Sequence, residues 1–147
     1  MKLDFGDEKR KFFMNKEVDK SLLKDGFSIP VAFQEKLFNL IGVTLEFGES
    51  MEVEIHIDGR KYGASLKNQR YDKIKYPEHT PVVQIRYSPQ SEIAKCLRVK
   101  FAKSHKYIEE HSLNKPTKTK IRIPEEQKEF MKIYVLKGEN TLEFVCN

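Results

Sequence analysis

At 147 residues, with 39% hydrophobic and 33% charged side chains, the chain is long enough to bury one core and reads as a single domain. Its apolar runs are far too short to cross a bilayer, and the opening "MKLDFGDEKRKFF" is charged where a cleavable signal would be apolar. A cytoplasmic protein is expected, and a net charge of +5 makes an acidic partner worth seeking.

Residues 1 to about 14 are charged and expected to be partly ordered, and "FFMNKEVDKSLLKDG" is polar with scattered apolar positions. "GFSIP" reads as a short strand, with Pro30 placed to open a helix. "VAFQEKLFNLIG" sets Phe33, Leu37, Leu40 and Ile41 on one helical stripe, and Gly42 ends it. "MEVEIHI" alternates, with Met51, Val53, Ile55 and Ile57 on the core side. Asp58-Gly59 is the strongest short hairpin signal, and "RKYGASL" returns with Tyr62, Ala64 and Leu66 inward. "PVVQIRYS" is a further strand. Ser88 is placed to cap a helix with Pro89 in its first turn, and Ile93, Leu97 and Phe101 form that helix's stripe. "KYIEEHSLNKPTKTK" reads as a polar connection and "KIRIP" as a short strand or extended piece; "EEQKEF" is ambiguous. "MKIYVLKGENTLEFV" reads as a hairpin turning at 138–140. Strands paired in hairpins with two short helices predict an α+β, β-rich barrel or sandwich, not a parallel βαβ sheet.

The charge is segregated. From Arg60 to Lys75 there are six Lys or Arg and one acid, Asp72. Lys95, Arg98, Lys100, Lys103 and Lys106 fall in a stretch with no acid, and four more cations lie between Lys115 and Arg122. That distribution is the footprint of a polyanion. The stretch "LKNQRYDKIKY" is the most pointed of these. A loop that only reversed the chain would use Gly, Asn, Asp or Pro. This one carries Lys67, Asn68, Gln69, Arg70, Tyr71, Lys73 and Lys75. Arg70 can bond guanine O6 and N7 in a fork, and Asn68 and Gln69 can each read adenine N6 and N7. Lys67, Lys73 and Lys75 suit phosphates, and Tyr71 can pack on a sugar or thymine methyl or anchor the loop.

The signatures of catalysis are missing. There is no GxGxxG or GxxxxGK[ST] phosphate loop. His56, His79, His105 and His111 have no Cys or Asp partners at metal spacing. "PEEQKEF" lacks the preceding aspartate of a nuclease carboxylate set. Cys96 and Cys146 lack CxxC spacing and are expected to be incidental thiols. A binding domain without cofactor or metal is expected, with any catalysis in another domain or subunit.

"KSLLKDGFSIPVAFQEKLF", a hairpin, "LKNQRYDKI" and "VQIRYSPQSEIAKCLRVKF" in that order resemble the B-three-type DNA-binding pseudobarrel over about residues 10–110. That family includes plant transcription-factor domains and the target-recognition domains of restriction enzymes, of the EcoRII effector-binding type and the McrB-like LlaJI type. The Trp-containing strand of the plant proteins has no match, since the chain has no tryptophan. The resemblance implies a seven-stranded open pseudobarrel with two short helices. It implies a grip on the major groove of double-stranded DNA by two arms. The first would be Asn15 to Gly26, offering Lys16, Lys20, Ser21 and Lys24; the second would be Lys67 to Lys75. It further implies one DNA-binding domain over 1–147, the amino-terminal part of a larger restriction-modification protein, partnered by other domains or subunits of that complex. Two other readings stay open: a single-stranded DNA or RNA-binding barrel using Tyr62, Tyr71, Tyr76 and Tyr87 as stacking platforms, and a protein-interaction module.

Overall fold

A computed structural model describes residues 9–116 and 119–146. Lys118 of the basic connection and the opening residues 1–8 lie outside the described residues. Seven strands form one curled sheet. In chain order they are β1 (Arg10–Glu17), β2 (Gly26–Ile29), β3 (Ser50–Ile57), β4 (Arg60–Asn68), β5 (Val83–Arg86), β6 (Phe130–Leu136) and β7 (Thr141–Cys146). The spatial order is β1-β6-β7-β3-β4-β5-β2, antiparallel throughout except for β3 beside β7.

The curl follows from connectivity. β1 and β2 occupy opposite edges of the sheet, yet only residues 18–25 join them. In a flat sheet six strand spacings would part the edges by about 29 Å. Eight fully extended residues span about that distance. Here, though, the segment is folded on itself, with the Leu23 N–H on the Asp19 carbonyl and three N–H groups on the Ser21 carbonyl. The sheet therefore rolls into an open half-barrel. Phe13, Ile29, Ile55, Leu66, Ile85 and Phe144 fill its interior.

The helices cover the barrel from two sides. α1 (Val31–Ile41) packs on β1 and β6, while α2 (Glu92–Lys100) packs on β4 and on α3 (Ala102–Ser112). α1 buries Leu37, Phe38, Ile41 and also Gln34, and Gly42 closes it in the left-handed conformation. The predicted hairpins are present: Asp58 and Gly59 both take positive φ between β3 and β4, with Val53, Ile55, Ile57, Ala64 and Leu66 inward.

Several expectations need correction. Three helices stand among the described residues, not two, because Ala102–Ser112, whose residues 106–112 read from sequence as the start of a polar connection, is α3. The second basic region, Lys95 to Lys106, accordingly lies on two consecutive helices. Ser88 does not cap α2; Ser91 does, its hydroxyl accepting the Ala94 N–H at 3.3 Å, while Ser88 holds the preceding turn. "KIRIP" lies outside the sheet with no regular secondary structure and is followed by a short 3₁₀ turn at Glu125–Gln127. The seventh strand is instead β1, where Phe13 and Met14 are buried side by side at a β-bulge.

Candidate nucleic-acid interface

The two predicted arms emerge at opposite ends of the same three strands. Gly26 of β2, Arg86 of β5 and Ser65 of β4 lie in one row, and Ile29, Val83 and Asn68 lie in another. Residues 18–25 enter at the first row; residues 69–82 leave at the second. The strip between the rows is about 10 Å long. Its outward side chains are polar. Ser28, Gln84 and Lys67 stand abreast, with Arg86 and Ser65 in the neighbouring row. Gln84 Nε2 reaches Ser28 Oγ at 3.4 Å, and Arg86 Nη1 reaches Gln84 Oε1 at 3.3 Å.

The first arm is a folded, anchored turn. Leu22 and Leu23 point inward and are buried. The Leu22 carbonyl accepts the Tyr87 hydroxyl, and the Leu23 carbonyl accepts Arg98 Nη1 at 2.8 Å. Burial pushes the Tyr87 hydroxyl far above its ordinary pKa, and the carboxylates of Asp19 and Asp25 push it further, so it remains a donor. Lys16, Lys20, Ser21 and Lys24 line one cleft of about 730 Å³, where Lys120 and Arg122 join them from the chain after α3. Their availability differs. Lys16 is bound to Asp19 at 2.7 Å with its side chain 16% exposed, and the Ser21 hydroxyl donates to the Gly26 carbonyl. Both serve the shape of the arm. Lys24 is exposed and makes no ion pair among the described residues.

The second arm is built on a pedestal that nothing local announces. Asn68 ends β4 by docking the segment between α1 and β3. Its Nδ2 donates to the Leu45 carbonyl at 3.0 Å, its N–H to the Glu49 carbonyl, and its own carbonyl accepts the Gly48 N–H. This presents Phe47 to the loop. Tyr71 meets the Phe47 ring edge-on at 5.0 Å, while Lys73 Nζ and the Arg70 guanidinium lie 4.1 and 5.3 Å from its centre. Tyr71 also donates its hydroxyl to the His79 carbonyl at 2.9 Å and packs on the His79 ring. These contacts hold Tyr71 within the loop. Gln69 forms the neck of the loop through its N–H on the Val82 carbonyl, and Gln34 Nε2 braces the returning chain at Pro81. Arg70, Lys67 and the Gln69 side chain are exposed. The Arg70 guanidinium packs against Gly48, whose φ of +84° is what favours glycine at that site.

The structure thus joins four candidates at each end: Lys16, Lys20, Ser21 and Lys24 at one, and Lys67, Asn68, Gln69 and Arg70 around a smaller recess at the other. Sequence reasoning missed the strip between them. Gln84 and Arg86 alternate with Val83 and Ile85, so their outward side was visible as polar positions in a β run. Phe47 carries no local signal at all. In the second basic region Arg98 holds the Leu23 and Pro89 carbonyls, Lys95 pairs with Glu92 and Lys100 with Asp58 at the surface, and Lys103 and Lys106 are exposed. Among the described residues no three His, Cys, Asp or Glu side chains gather as a metal site, and no helix is long and apolar enough to cross a membrane. Neither family models, curated proteins nor solved structures yielded a match to this chain.

Proposed function

We propose that this protein is a cytoplasmic double-stranded DNA reader of the B-three type, the target-recognition domain of a restriction system whose catalytic parts lie in another domain or subunit. One observation carries the duplex reading: two cationic arms bracket a polar strip about 10 Å long. A major groove is about 12 Å wide and admits a small β surface. Lys67, Lys73, Lys20 and Lys24 would hold phosphates and set register. Arg70 and Gln69 would reach base edges from one arm, with Gln84 and Arg86 between the arms. Asn68, Ser21, Lys16 and Tyr71 would position these groups instead of touching bases.

A single-strand platform is less well supported. Tyr87 is buried, Tyr62 is half-buried against the core and Tyr71 is packed in the loop, which leaves Tyr76 as the exposed ring of the four.

The deciding experiment is a fluorescence-anisotropy titration of a random duplex at several salt concentrations, with single-stranded competitor. Duplex preference and affinity that falls steeply with salt are expected. Absence of duplex binding at low salt would refute the proposal. On a selected site, Arg70→Ala should cost about 1–3 kcal/mol and relax preference at one base pair.

A further inference from the structure

Ile74 is the most exposed large apolar residue among the described ones, at 94%. It stands in the 73–75 turn of the 69–82 loop, between Lys73 and Lys75. The turn that carries it is fixed. Asp72 Oδ1 accepts the N–H groups of both Ile74 and Lys75 at 3.0 Å, and the Tyr76 N–H closes on the Asp72 carbonyl at 2.9 Å. Behind it the loop rests on the Phe47–Tyr71–His79 stack. A β-branched side chain is stiff at χ1, so little freedom remains to lose on docking.

We propose that Ile74 reads the C5-methyl group of a pyrimidine in the major groove. The assignment rests on the duplex reading above. Three features favour it. The group that touches a C5-methyl must be apolar and open to the duplex, and Ile74 is exposed between two lysines that suit phosphates. Tyr71, the other residue suited to a methyl, is turned back onto Phe47 and the His79 carbonyl. A protein partner would need a contiguous apolar patch, whereas the immediate neighbours of Ile74 are charged. The shared ligand is the C5-methyl edge, which thymine and 5-methylcytosine both carry.

The test starts from the duplex that the protein selects out of a random pool. That duplex is resynthesised with deoxyuridine for thymidine, one position at a time, and separately with 5-methyldeoxycytidine for deoxycytidine. Either deoxyuridine at one position weakens binding by about three- to tenfold, or 5-methylcytosine at one position strengthens it as much. The first result identifies thymine as the source and the second 5-methylcytosine. Ile74→Ala, which removes an exposed side chain and should melt as the parent does, abolishes the difference. Equal binding of methylated and bare duplexes at every position would overturn the proposal. So would discrimination that survives in Ile74→Ala, or a uniform loss on methylated and bare duplexes alike. Failure to bind any duplex would instead remove the duplex reading itself.

Discussion

Gly26 stands where the first arm becomes β2, with φ of +126°. A Cβ there would collide with the Ile85 carbonyl oxygen, which is backbone on the paired strand and cannot swing away. Gly26→Ala should therefore lower unfolding free energy by about 3 kcal/mol, read by urea denaturation. Gly42→Ala, where a Cβ meets nothing, should show only the smaller cost of its positive φ. At the end of β7, burial and the neighbouring Cys96 push the Cys146 thiol up to about 12. An unfolded thiol ionises near 8.5, so above that pH the unfolded chain gains charge that the folded thiol resists until near 12. The contribution is whole below about pH 8.5 and is lost as pH rises toward 12. Melting temperature should fall over that interval, less steeply in Cys146→Ser than in the parent.

α3 shows how an element can be absent from local pattern and still form. Phe101, at its N-cap, provides no side-chain cap. The cap comes from Glu129, whose Oε1 accepts the Ser104 N–H at 2.8 Å and the buried Ser104 hydroxyl at 2.6 Å. Glu129→Ala leaves that hydroxyl unpaired and should cost about 1–2 kcal/mol. Hydrogen exchange at 102–105 should quicken first. An unchanged exchange rate there would deny Glu129 the capping role. β1 was hidden for another reason. Its bulge places Phe13 and Met14 inward in succession and breaks the two-residue alternation by which β3 and β4 are recognised. The 69–82 loop shows the reverse case: its chemistry was legible residue by residue, while its support on Phe47 was not.

For the whole molecule, segregated charge becomes a testable number. Each exposed lysine that neutralises a phosphate contributes about one unit to the salt slope of duplex affinity. Lys67→Ala and Lys73→Ala should each flatten the slope by about that much and weaken specific and random duplexes alike. Lys95→Ala, whose ammonium faces Glu92 on α2, should leave it unchanged. Equal slopes for all three would place the interface elsewhere. Composition, hairpin turns and helix stripes determined by themselves that this is a β-rich α+β domain with a cationic, amide-bearing loop after its central hairpin, because those signals act over a few residues. Only tertiary structure decided that β1 and β2 form the sheet's two edges, that Glu129 caps α3 and that Asn68 Nδ2 donates to the Leu45 carbonyl. It alone set two arms across Ser28, Gln84 and Arg86. These depend on contacts between residues far apart in the chain, where no local period or spacing reaches.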